Sequence, residues 1–161
     1  MQLLSNWIYR LSLFLIAVLV AVMTGSILLQ VFAMNLLNFS FIWSGELAQL
    51  CFVWLTFIGA SAVYKKSEMI AFDLLLAKVP ERYRRWAATF IQVVVIVFSV
   101  IFIYYGLEKA LSPSVLIQKS TALKMPMIVP YISIPIGMFM LLIHAVADLL
   151  KTWTGKEVKA G

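Results

Sequence analysis

His144 and Asp148 stand four residues apart, one turn of a helix, and His144 is the sole histidine among 161 residues. An imidazole beside a carboxylate is a common acid–base couple. Here it sits at the end of a long apolar run, where it reads as a mutually satisfied interfacial pair. With one histidine, a haem held by two axial imidazoles is impossible. Cys51 is the only cysteine, so the chain forms no internal disulfide and no dithiol centre; it reads as a small apolar packing residue. Glycine-rich phosphate loops, HExxH and Cys/His clusters are all missing from the sequence. No catalytic residue, cofactor or metal is expected, and the chain does not read as an enzyme.

The remaining polar candidates sit at the edges of apolar stretches. Glu46 follows Ser44, a plausible N-cap, and falls in the first turn of a helix, where the dipole favours a carboxylate. Asp73 lies within a short apolar segment. Its possible partners are Lys65, Lys66 and Arg84. Lys109, Lys119 and Lys124 share one connection, which is either a plain solvated loop or a docking surface for an acidic partner.

The elements that carry these residues follow from where charge is absent. The chain is 63% apolar and 12% charged, with a mean hydropathy of +1.00, against roughly 25% charge in an ordinary soluble domain. No Asp, Glu, Lys or Arg occurs between Arg10 and Glu46, Glu46 and Lys65, Arg85 and Glu108, or Lys124 and Asp148. A hydrocarbon core about 30 Å thick takes about 20 helical residues to cross. The gaps therefore predict an all-α integral membrane protein, a single membrane domain with crossings at about 11–34, 47–64, 86–107 and 128–148. The first gap is too long for a cleaved signal peptide and is expected to stay as a helix.

An even number of crossings puts both ends on one side. That side collects ten basic residues: Arg10, the six of the second connection and the three of the tail. The other side has three. The positive-inside rule places both termini and the second connection in the cytoplasm. A net charge of +6 then reflects a rim facing anionic lipid and implies no nucleic acid.

Between Ser67 and Pro80, Met69, Phe72, Leu76 and Val79 share one helical face, away from Asp73. A segment this short does not cross; it predicts an amphipathic helix over about 68–79 lying in the inner interface. Arg82, Arg84, Arg85 and Trp86 then form a basic, aromatic anchor for the third crossing. On the second crossing Ala48, Cys51, Leu55, Gly59 and Ala62 make a mostly small stripe that admits a close neighbour. Trp54 lies near mid-depth, where it packs against protein. The neighbour is either this bundle or a second membrane subunit. Gln92 is expected to bond across helices. Pro126, Pro130 and Pro135 mark the start of the fourth helix, expected near Pro130 with a bend at Pro135.

Four segments in order resemble the small membrane subunit of tripartite ATP-independent periplasmic (TRAP) transporters, the DctQ or SiaQ type. They are Trp43-Ser44-Gly45-Glu46-Leu47-Ala48-Gln49 with Phe52 to Ala60; Met69 to Asp73; Pro80 to Arg84; and Ser120 to Pro126 with Tyr131 and Pro135-Ile136-Gly137. The chain departs from the family pattern in having one acidic residue before Leu47, and Met69 where a histidine is common. The resemblance implies a scaffold subunit for sodium-driven uptake of an organic acid (a C4-dicarboxylate, sialic acid or sugar acid). Its implied partners are a large DctM-type membrane subunit, a periplasmic binding protein and lipid. At matching positions it implies packing or interface roles for Glu46, Trp54 and Gly59, to which the small stripe adds Ala62. An anchor subunit of another membrane complex and a stand-alone small carrier are the alternatives.

Overall fold

A computed structural model describes residues 2–76 and 81–154, with side chains described outside 2–4, 67–76, 81–82, 84–85, 151 and 154. The elements are α1 (Gln2–Leu37), α2 (Ile42–Leu76), α3 (Glu81–Ala110), the short α4 (Pro113–Ile117) and α5 (Ile128–Tyr131), and α6 (Ser133–Thr154). Four stretches are long and apolar enough to cross a membrane: Ser5–Leu37, Ile42–Lys66, Trp86–Ala110 and Ile128–Leu150. They correspond to the four gaps in the charge pattern.

The break expected after the second crossing is not there. Residues 67–76 are helical, but as the unbroken continuation of α2. No glycine or proline interrupts the sequence between Gly59 and Pro80, so nothing local stops the helix once the apolar run ends. The side chains of Met69, Phe72, Asp73 and Leu76 lie outside the described residues.

The helices pack in the order α1, α2, α6, α3. Half of the last span is buried within the chain, against 11%, 22% and 17% of the first three, so α6 is the hub. Two glycines make it so. A Cβ on Gly137 would lie 2.6 Å from Phe57 Cβ and 2.7 Å from its carbonyl carbon, so only a glycine lets α6 and α2 come this close. A Cβ on Gly106 of α3 would lie 3.1 Å from Ile134 Cγ2 and 3.2 Å from Pro135 Cδ. The core between the helices is small-residue and polar: Cys51, Ala62, Ala88, Ala145, Ser61, Ser99 and Gln92 are all buried. That is how helices associate where lipid removes the hydrophobic drive between them. Large apolar side chains such as Phe14, Phe32, Phe90 and Ile101 face outward.

The start of the fourth crossing differs from the expected helix at Pro130. Residues Ile128–Tyr131 form one turn, and regular helix begins at Ser133. Pro135 has no N–H to give the Tyr131 carbonyl. The Ser133 hydroxyl donates to the Pro130 carbonyl at 2.6 Å across this joint.

Candidate functional site

Polar side chains gather at the two ends of the bundle. At one end, a hairpin spans Gln118 to Met127. The Ser120 amide donates to the Met125 carbonyl at 2.9 Å and the Met127 amide to the Gln118 carbonyl at 3.0 Å. Lys124 takes a left-handed backbone (φ 52°) to close the turn. The Glu46 carboxylate reaches into this hairpin from the first turns of α2. It accepts the Ser120 hydroxyl, the Ala122 amide at 3.0 Å and the Leu123 amide at 2.9 Å. Charge-assisted bonds of this kind are the strong ones. They fasten the loop that leads into α5 and α6 onto α2.

The sequence places Glu46 in the first turn of a helix as a dipole-favoured carboxylate; within this chain its bonds go instead to the hairpin. Ser44 is not the N-cap: α2 begins two residues earlier at Ile42. The Ser44 hydroxyl lies 2.7 Å from the Phe41 carbonyl and 2.6 Å from Gln30 Oε1. These contacts place Ser44 against both its own turn and α1.

At the opposite end, near both termini, three cross-helix links converge on α6. Ser5 Oγ of α1 lies 2.7 Å from His144 Nδ1. Lys65 Nζ of α2 lies 3.8 Å from Asp148 Oδ1, with the lysine side chain 13% exposed and the aspartate fully buried. Gln92 Nε2 of α3 donates to Thr152 Oγ1 at 3.1 Å. His144 and Asp148, one turn apart, each also reach a partner on another helix, Ser5 and Lys65. One turn of separation keeps both side chains on one face of α6, and sequence spacing alone could not name the residues of α1 and α2 that meet that face. Lys65 lies beside Asp148, while the side chain of Asp73, for which Lys65 was one candidate partner, lies outside the described residues.

The other sequence candidates fall apart in space. Ala62 and Cys51 are buried, and Trp54 is half-buried. Among the described residues, no atom of another element lies within 4 Å of the place a Cβ on Gly59 would take, so the small stripe splits between a buried edge and an open one. Lys109, Lys119 and Lys124 are exposed, the last two on the hairpin. Trp86 is exposed at the start of the third span, while the side chains of Arg82, Arg84 and Arg85 lie outside the described residues. Among the described residues no group of His, Cys, Asp and Glu is placed to hold a metal ion. Sequence reasoning missed the amides of Ala122 and Leu123. Backbone donors carry no side-chain signature, and only the turn-forming Ser120-Thr121 hinted at them.

Comparison with known proteins agrees with this architecture. Residues 23–155 match the family described as tripartite ATP-independent periplasmic transporters, DctQ component. Over 84 residues, 52% of the chain, it is 33% identical to the sialic acid TRAP transporter permease protein SiaT of Haemophilus influenzae. Over 108 residues, 67% of the chain, it is 20% identical to the isethionate TRAP transporter permease protein DctMQ of Oleidesulfovibrio alaskensis. These matches cover 14% and 17% of the two relatives, which are far longer chains. The family match takes in Glu46, the hairpin and all of α6, and the chain is a multi-pass inner-membrane protein that belongs to the DctQ component family of TRAP transporters.

Proposed function

We propose that this chain is the static small subunit of a TRAP-type importer. In that role it braces a large membrane subunit that carries an organic anion together with sodium ions, and a periplasmic binding protein delivers the anion. One observation carries the reading. The polar side chains of the described spans that bond across helices hold this chain's own helices together: Ser5 to His144, Lys65 to Asp148, Gln92 to Thr152 and Ser44 to Gln30. A bundle cross-tied at both ends suits a brace better than a moving carrier. The length of the relatives, each several times the matched region, supports a companion of large size. Their names, one for sialic acid and one for isethionate, support an organic anion as cargo.

In this reading the termini and the α2–α3 connection face the cytoplasm, following the ten basic residues on that side. The hairpin with Lys119 and Lys124 faces the periplasm. Residues 67–76, past the apolar part of α2, sit at the inner interface with the following basic residues. The open edge at Gly59 meets the large subunit.

The experiment is reconstitution in liposomes. Uptake is expected only when this chain, the large subunit and the binding protein are all present with a sodium gradient. Transport of an organic anion by this chain alone would contradict the proposal and favour a stand-alone carrier.

A further inference from the structure

The hairpin has backbone bonds of its own beside those to Glu46: two rungs, Ser120 to Met125 and Met127 to Gln118, with the left-handed Lys124 at the turn. Successive amides turned toward one point make an anion-binding concavity. Here the Ala122 and Leu123 amides do so, with the Ser120 hydroxyl beside them. The bound group belongs to a separate element, α2, so ligand and receptor are joined only through the fold. Glu46 is only half-buried, and the site borders an open cavity of about 210 Å³ that Gln49, Lys119 and Thr121 also line. Exposed Lys119 adds positive charge at that mouth.

We propose that the Ser120–Leu123 turn is a carboxylate receptor in its own right. Glu46 is its resident ligand, and a carboxylate borne on another molecule takes the same place when Glu46 is removed or drawn away. The ligand class is a carboxylate without further requirement, because the contacts are hydroxyl and backbone donors that read the anion and nothing beyond it. This goes beyond the transport role and does not depend on it: the test needs no partner subunit and no uptake.

The test uses the purified full chain in detergent. Thermal unfolding of the parent and of Glu46→Ala is followed against rising sodium acetate at constant ionic strength, with chloride as the balancing anion. The expected result is a lower Tm for E46A that climbs saturably with acetate, while the parent stays flat. Adding Ser120→Ala to E46A is expected to weaken the acetate midpoint about tenfold, the loss of one charge-assisted bond. A parallel arm replaces acetate with the amide of N-acetylglutamate. Recovery with acetate marks a receptor for free acids, and recovery with the glutamate derivative alone marks a receptor for a protein side chain. No recovery with either, or an equal shift in the parent, overturns the proposal. If E46A yields no folded chain, Glu46→Gln is used and hydrogen exchange at the Ala122 and Leu123 amides is read. Acetate is expected to slow that exchange, and exchange indifferent to acetate overturns the idea.

Discussion

The carboxylate of Glu46 and the amide of Leu123 are 77 residues apart in the chain and 2.9 Å apart in space. The bond joins the first turns of α2 to the loop that feeds α5 and α6, so one acidic side chain fixes the entry to the central helix. With Glu46→Gln, the Ala122 and Leu123 amides are expected to exchange with solvent about tenfold faster or more. Amides in the middle of α6 should keep their protection. The cause is local: an amide side chain offers one acceptor oxygen, where the carboxylate offers two and a charge. Unchanged exchange at both positions would show that the hairpin holds itself without Glu46.

Two glycines on facing problems give a paired prediction. Gly137→Ala puts a methyl carbon within 2.8 Å of the Phe57 carbonyl oxygen, and backbone cannot step aside as a side chain can. Forcing α2 and α6 apart is expected to cost about 1–3 kcal/mol, read as a lower unfolding temperature of the isolated chain. A Cβ at Gly59 meets nothing within 4 Å among the described residues, and Gly59→Leu is expected to leave the isolated chain as stable as the parent, or slightly more so. The same change is expected to reduce co-purification with the large subunit, because the open edge of α2 is where a second helix would approach. Full recovery of the complex with Gly59→Leu would remove that edge from the interface.

Lys65 and Asp148 lie at the end of the bundle near the termini, with Asp148 wholly buried. Replacing one partner strands the other charge in a protein interior, which costs about 3–5 kcal/mol where it has been measured. Asp148→Leu and Lys65→Met are each expected to be strongly destabilising in detergent unfolding. The double change should recover most of the loss, ending within about 1 kcal/mol of the parent. Additive losses in the double variant would mean the two side chains act separately.

How far the sequence reveals this fold depends on which physics is being read. Lipid-length gaps between charges mark all four spans, because desolvating a charge in hydrocarbon is costly enough to leave a plain pattern. The unbroken α2 escapes the same reading. A change from membrane to interface alters polarity without altering helical backbone, so amphipathicity placed a boundary where the backbone has none. Gln92 was legible as a cross-helix donor, yet Thr152 as its acceptor was not, since the sequence says nothing about which helices are neighbours. His144 and Asp148 show the same limit in reverse. Their spacing suggested each other, and the packing of α1 and α2 on α6 adds Ser5 and Lys65, which spacing could not name. Glu46 was recognised as important through its place at the head of α2. Its partners were hidden because two of the three are peptide groups.

Lys119 and Lys124 are both exposed on the hairpin that Glu46 fastens, on the face proposed to look into the periplasm. A fixed basic hairpin raises the rate at which an acidic partner is captured more than it tightens the final complex. Charge reversal at both positions is therefore expected to slow uptake when the binding protein is scarce and to leave the rate unchanged when it is saturating. The effect should shrink as salt rises, since exposed charges more than about 10 Å apart are screened at 0.1 M. The measurement is initial uptake in liposomes holding both membrane subunits, across a range of binding-protein concentrations at two ionic strengths. Parent-like kinetics at the lowest concentration and lowest salt would remove these lysines from docking, whatever the fate of the wider transport assignment. A uniform drop at all concentrations would point instead to a damaged hairpin, and the exchange rates at Ala122 and Leu123 in the same variant separate that outcome from lost docking.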